Sequence, residues 1–302
     1  MRALLSATMA VALAGVAVAG AAAEPSALPP IDAATALLVV APHPDDETLC
    51  CAGLMQRVAR AGGRVSVVWL TSGDDEWFGL LLEEKLRFAS PAAALQFGAQ
   101  RMAEARAATA LLGVPPHGQL FLGYPDGGLL ELLGGDPDRV HRARFTRATA
   151  VPYRDALFPG HPYSGASLAR DFGAVLDRLQ PTLILAPSPQ DSHPDHRAAG
   201  LLALAVSARR GVPVQLRYWI VHGGVGWPGP RDLLAGIPLT PAPLSRGLDP
   251  LAFALAPTEE DRELQALGAY RSQMRLMAPF LLAFVRTNEL FSSRAQAVPA
   301  GR

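Results

Sequence analysis

Two short proline-bearing segments, far apart in the chain, hold the side chains best suited to chemistry. Pro42-His43-Pro44-Asp45-Asp46 supplies His43, Asp45 and Asp46, and His193-Pro194-Asp195-His196 supplies His193, Asp195 and His196. Two imidazoles and one carboxylate, from His43, His196 and Asp46, form a donor set for Zn2+ with a position left open for water. A structural zinc site would be closed by a fourth protein ligand, so this set points to catalysis. Calcium prefers a shell of oxygen donors and fits these histidines less well.

Asp45 adjoins the proposed ligand Asp46, and two neighbouring carboxylates repel unless a cation or a proton-transfer role relieves them. Asp45 is therefore read as the base that takes a proton from metal-activated water. His193 is the second acid-base candidate, expected in its protonated form to stabilise an oxyanion or to protonate a leaving amine. Asp195 has two open roles: orienting a histidine from behind, or capping the helix that follows.

The elements around these segments must bring them together. Residues 34–41 form a nearly continuous apolar run that reads as a buried strand, ended by the two prolines. Residues 47–61 have helical composition, and 65–70 supply a second strand ending at Thr71-Ser72-Gly73-Asp74. The same order recurs with a helix at 167–180, a strand at 182–186, the second histidine segment, and a helix to 209. Strand, polar loop, helix, strand implies a parallel α/β unit, in which loops from the carboxyl edge share one face. Further strands are expected at 119–122 and 214–221, a helix at 101–112 after an interruption at Pro91, and a single late helix at 259–275. Residues 130–164 lack periodicity and form the candidate substrate-facing region. The Gly/Pro-rich piece 223–230 reads as a rim loop.

Composition narrows the class. The chain has 302 residues, is 50% hydrophobic and carries 27 basic against 27 acidic side chains, enough for a large core and no basic footprint for nucleic acid. Lys85 is the only lysine. Arg2, an apolar middle and Ala21-Ala22-Ala23 read as a secretory signal peptide over 1–23, with a retained anchor as the alternative, followed by a spacer at 24–33 and one domain from 34 to 302. A secreted or periplasmic protein follows, with no stable membrane insertion after cleavage and with homo-oligomerisation allowed. Cys50 and Cys51, the only cysteines, are expected as two small buried hydrophobes on the first helix in preference to a vicinal disulfide.

Pro42-His43-Pro44-Asp45-Asp46-Glu47 and His193-Pro194-Asp195-His196-Arg197 resemble the two hallmark motifs of the LmbE-like, or PIG-L-like, N-acetylglucosaminyl de-N-acetylases. The likeness extends from Leu38 to Phe291. It takes in Thr71-Ser72-Gly73-Asp74, Arg101 and Glu104, Pro125-Asp126-Gly127-Gly128 and Tyr270-Arg271-Ser272-Gln273. The resemblance implies a Rossmann-like three-layer α/β sandwich with a mainly parallel sheet and helices on both faces. It implies one zinc on His43, Asp46 and His196, Asp45 as base, His193 at the oxyanion, and release of acetate from an N-acetylated amino sugar or glycoconjugate. Asp126 is a candidate contact to sugar hydroxyls or an ordinary turn residue. Arg101 is a candidate for substrate or for a structural carboxylate, and Tyr270 and Gln273 for the cleft or for the core. Two alternatives stay open: hydrolysis of another N-acylated small molecule or peptide, and a non-catalytic extracytoplasmic sugar-binding protein.

Overall fold

A computed structural model of the chain describes residues 28–76, 90–210, 214–234 and 236–295. The expected signal peptide at 1–23 and the first residues of the spacer lie outside the described residues. Strand β1 (Ala36–Ala41) is buried along its whole length, as a strand covered on both faces must be, and this explains its unbroken apolar run. Helix α1 (Asp46–Arg60) begins with Asp46 and Glu47 in its first turn, where carboxylates favour the positive end of the helix dipole. Gly62, at φ 79°, then turns the chain into β2 (Arg64–Thr71).

Helix α2 (Pro91–Leu111) starts at the proline that the sequence suggested as an interruption. Pro91 occupies the first turn, where its missing N–H costs nothing, and the Ser90 side chain accepts a hydrogen bond from the Ala93 N–H. Strand β3 (Gln119–Tyr124) and the short α3 (Leu129–Gly134) follow. Helix α4 (Gly165–Leu179) is capped by Ser164 in the same way, with the bond coming from Ser167 N–H. Strand β4 (Leu183–Pro187), α5 (Pro194–Arg210) and β5 (Gln215–Trp219) complete the main sheet.

The five strands are parallel in the order β3-β2-β1-β4-β5. β1 therefore lies between β2 and β4, with Leu37 opposite Val65 on one side and Leu183 on the other. The chain winds outward through β2 and β3, then crosses back to start β4. That reversal opens a crevice at the carboxyl ends of β1 and β4, the place where an open α/β sheet binds ligands. Helices flank the sheet, and the expected layered α/β architecture is what the chain adopts.

Two expectations need correction, and one element is new. The late helix is two: α6 (Pro257–Leu267) and α7 (Arg271–Leu282), divided because Tyr270 leaves the helical region, at φ −80° and ψ 62°. A two-stranded antiparallel sheet, β6 (Leu251–Ala254) with β7 (Asn288–Phe291), was not expected. Cys50 and Cys51 are buried on α1 as expected, but they are joined to each other as a vicinal disulfide. Beyond α3, residues 135–164 are irregular and tied by backbone bonds such as His141 N–H to Tyr163 O (2.8 Å) and Val151 N–H to His161 O (2.9 Å). Among the described residues no helix is long and apolar enough to cross a membrane.

Candidate metal centre and active site

Both histidine segments emerge at the crevice, the first from β1 and the second from β4. The first loop is tied to β2: the Thr71 N–H and hydroxyl both donate to Pro42 O, at 3.0 and 2.9 Å. Asp45 then takes φ 111°, a region a side chain rarely adopts, and its carbonyl accepts the first bonds of α1 from Thr48 and Leu49. A backbone conformation this unfavourable persists only when its surroundings hold it.

Arg101 of α2 does much of that holding. Its guanidinium donates to Pro44 O (2.7 Å), Gly73 O (3.0 Å) and Asp45 Oδ2 (3.2 Å), and the side chain is buried. Of its two sequence readings, Arg101 thus takes the structural one. Tyr270 and Gln273 are 0% and 1% exposed and do not line a cleft. The Tyr270 hydroxyl bonds Glu47, whose other oxygen accepts from Trp69 Nε1 (2.9 Å) and Asp45 N–H (3.2 Å). Gln273 donates to Ser272 Oγ (3.3 Å), and Ser272 bonds Glu104 of α2. The substrate reading of Arg101 and the cleft reading of Tyr270 and Gln273 are therefore corrected: Arg101 and Tyr270 brace the Pro42–Asp46 loop, and Gln273 belongs to the buried contact between α7 and α2.

At the crevice, Asp46 Oδ2 lies 3.2 Å from His43 Nδ1 and 3.2 Å from His196 Nε2. Donor atoms about 2.0–2.1 Å from a tetrahedral ion stand roughly 3.3 Å apart, so each of these two spacings suits zinc, while His43, Asp46 and His196 as a trio are not among the sets whose donors all lie within 4.8 Å of one another. His196 is wholly buried, and neither ring nitrogen makes a well-aligned hydrogen bond, so a cation would satisfy an otherwise orphaned donor. Each imidazole also has a carboxylate at its far nitrogen. Asp191 Oδ2 lies 3.2 Å from His196 Nδ1, while Asp126 Oδ1 and Asp195 Oδ2 lie 3.0 and 3.3 Å from His43 Nε2. Carboxylates placed this way fix the tautomer and orientation of metal-binding histidines.

Among the described residues three sets bring metal-capable donors within 4.8 Å of one another: His43 with His193 and His196, Asp46 with His196 and His222, and His43 with Asp126 and Asp195. Asp195 sits behind His43, as one of its readings held. Its carboxylate also accepts from the Gly127 and Leu129 N–H groups at 2.7 and 3.0 Å, so it secures the turn leading into α3 and does not cap its own helix. Asp126 faces His43 and, through Oδ2, accepts the Asp75 N–H at 2.9 Å. The turn residue is thus part of the charged cluster.

The chain's own charges set the protonation states. Burial opposes charge on His43, yet Asp126, Asp195 and Asp46 together push its imidazole well above the ordinary value. Burial would raise Asp46, and His196 and His43 outweigh it and hold the carboxyl well below its ordinary value. Asp45 is pushed up to about 8, by burial first and then by Asp46 and Glu47, against the pull of Arg101. His193 falls to about 3 through burial and the neighbouring His43, His196 and His222. These surroundings favour a neutral His193 ring over the protonated form expected from the sequence. Its Nδ1 accepts the Asp195 N–H at 3.2 Å, which leaves the proton on Nε2 as a donor.

Two residues at the site escaped the sequence reading. Asp191 accepts from the N–H groups of His193, Val221 and His222, at 2.9, 3.0 and 3.0 Å, and so aligns two loops as well as His196. Its spacing two residues before His193 is the mark of an Asx turn and could have flagged it. His222 follows β5 with no motif around it; only its place at the carboxyl edge of a strand hints at the site.

Residues 38–207 match the PIG-L family, described as GlcNAc-PI de-N-acetylase. A relative from Nakamurella multipartita, named 1D-myo-inositol 2-acetamido-2-deoxy-alpha-D-glucopyranoside deacetylase, is 28% identical over 89% of this chain and 88% of its own. The A40926 pseudoaglycone deacetylase Dbv21 shares the fold at TM-score 0.54 and 20% identity, covering 86% of this chain and 96% of its own. So does a 4-carboxy-2-hydroxymuconate hydratase from Pseudomonas putida, at TM-score 0.55 and 15% identity over 85% of this chain and 94% of its own, which shows that the fold by itself does not fix the reaction. The family match spans more than half of this chain and takes in both loops at the crevice, so the chain belongs to the PIG-L family of GlcNAc-PI de-N-acetylases.

Proposed function

We propose that the protein is a zinc-dependent N-deacetylase that hydrolyses the acetamide of an N-acetylglucosamine unit within a larger conjugate, releasing acetate and a free amine. The carrying observation is the convergence on Asp46 Oδ2 of one imidazole from each loop, His43 and His196, with Asp45 beside it. The named activity of the Nakamurella multipartita relative supports the substrate class.

His43, Asp46 and His196 would hold the ion. Bound there, Zn2+ supplies Lewis acidity toward the acetyl carbonyl and makes water more acidic. Asp45 accepts a proton from the attacking water, with Arg101 fixing Oδ2 and leaving Oδ1 for the transfer. As the carbonyl carbon becomes tetrahedral, the His193 Nε2–H donates to the developing oxyanion. Asp45 returns its proton to the nitrogen as the C–N bond breaks. The buried carboxyl, held near neutrality by its surroundings, suits both halves of that exchange.

The test is acetate release by the metal-loaded chain from N-acetylated sugars, sugar conjugates and non-sugar amides. Asp45→Asn should lower turnover by about 10²–10⁴-fold, the usual share of a general base. Unchanged turnover would remove Asp45 from that role, and no release of acetate from any sugar would overturn the reading. Export rests on residues 1–23 and is a separate part of the proposal. N-terminal sequencing of the protein recovered outside the cytoplasm should find a start after the alanine run; a chain retaining Met1 there would argue for an anchor instead.

A further inference from the structure

His222 lies beside the proposed zinc ligands, yet neither histidine motif contains it. One donor atom each from His222, Asp46 and His196 fall within 4.8 Å of one another. The His222 ring centroid is 4.6 Å from that of His196 and 5.0 Å from that of His193, and its face stacks on Phe280 of α7 at 6.0 Å and 16°. Its placement is specified from several sides. The backbone N–H donates to Asp191 Oδ2 (3.0 Å), the same oxygen that stands 3.2 Å from His196 Nδ1. Its carbonyl accepts from Ser192 N–H (3.1 Å) and Ser192 Oγ (2.9 Å), so the loop after β5 is fastened to the loop that carries His193.

The pair Asp46 and His196 is thus common to two donor arrangements, one extended by His43 through Asp46 Oδ2 and one by His222. Among the described residues the His222 ring nitrogens have no hydrogen-bond partner that would compete with a cation. We propose that His222 is a fourth protein ligand for the ion, bringing a third loop of the sheet's carboxyl edge into the metal centre. This inference rests on the zinc reading above. Imidazole donors suit zinc, copper, nickel and cobalt over magnesium or calcium, so the ligand class is a borderline-soft divalent cation. An open position for water or a carbonyl would then come from release of His222, or from expansion beyond four ligands, both of which a zinc site tolerates.

Cobalt(II) tests this without reference to turnover, because its visible bands report the ligands directly. The apo full chain is titrated with Co2+ against a competing chelator, as wild type, His222→Gln, His222→Cys and the exposed control His117→Cys. His222→Gln should weaken Co2+ binding by at least about tenfold and alter the visible bands. His222→Cys should add a thiolate-to-cobalt charge-transfer band that His117→Cys lacks, the native cysteines being joined to each other. That gain of signal keeps the test decisive if His222→Gln fails to fold. Wild-type affinity and bands in His222→Gln, with no new band in His222→Cys, would overturn the inference and leave the zinc reading intact. A wild-type chain that binds neither Co2+ nor Zn2+ would sink both.

Discussion

Asp191 shows how one carboxylate can organise a reactive site without belonging to it. It faces His196 Nδ1 and receives three backbone N–H groups from two loops, so its charge is balanced by fixed dipoles at almost every lone pair. Asp191→Asn keeps the shape and removes the charge. Metal affinity should fall about 10–100-fold, the usual effect of losing the carboxylate behind a ligating histidine, as read by chelator competition. Affinity equal to wild type would mean that the loops, and not the Asp191 charge, align His196. Arg101 makes the complementary point. A buried guanidinium needs several acceptors, and here Pro44 O, Gly73 O and Asp45 engage both terminal nitrogens, while its buried Nε has no hydrogen-bond partner. Residue type and family likeness marked Arg101 as important, while only its partners show that it acts on the loop.

Among the elements, α1 carries the Pro42–Asp46 loop at its start and is held at its middle by β7. Glu289 of β7 accepts the Gly53 and Leu54 N–H groups, at 2.5 and 3.1 Å. Burial pushes its carboxyl up to about 8, although these two N–H groups pull the other way. Between the unfolded value near 4.5 and the folded value near 8, the folded chain therefore holds a proton that the unfolded chain has released. Stability from this group is present below about 4.5 and is lost as pH rises toward 8. Glu289→Gln should flatten that part of the stability profile, so that its denaturation midpoint gains on wild type between pH 5 and 8. A parallel pair of profiles would show the carboxyl to be ionised in the fold. This grip was not legible, because β7 is a short strand whose partner β6 is brought to it only by the tertiary fold. The break between α6 and α7 was hidden for a related reason. α6 ends at Leu267 with Gly268 as its C-cap, and Tyr270, whose hydroxyl reaches the distant Glu47 carboxylate, precedes the first turn of α7.

For the molecule as a whole, the metal would join loops from opposite sides of the point where strand order reverses. A cation that binds only the folded chain stabilises it by about 2.7 kcal/mol at one hundred times its Kd. Zn2+ should accordingly raise the melting temperature of the apo chain, and a chelator should reverse the rise. An unchanged melt at saturating Zn2+ would mean that no such linkage exists. The sequence by itself determined the layered α/β class, the strands that carry the loops, and the ligand and base candidates, because apolar runs report strand burial and short motifs keep their chemistry wherever they fold. The tertiary structure alone decided that Arg101 and Tyr270 brace the loop, that Gln273 is buried behind α2, that the surroundings of His193 favour its neutral form, and that Asp191 and His222 lie at the crevice. Those outcomes depend on which groups become neighbours across the sheet, and the charge or hydrogen bonding of a buried side chain is set by its neighbours in space.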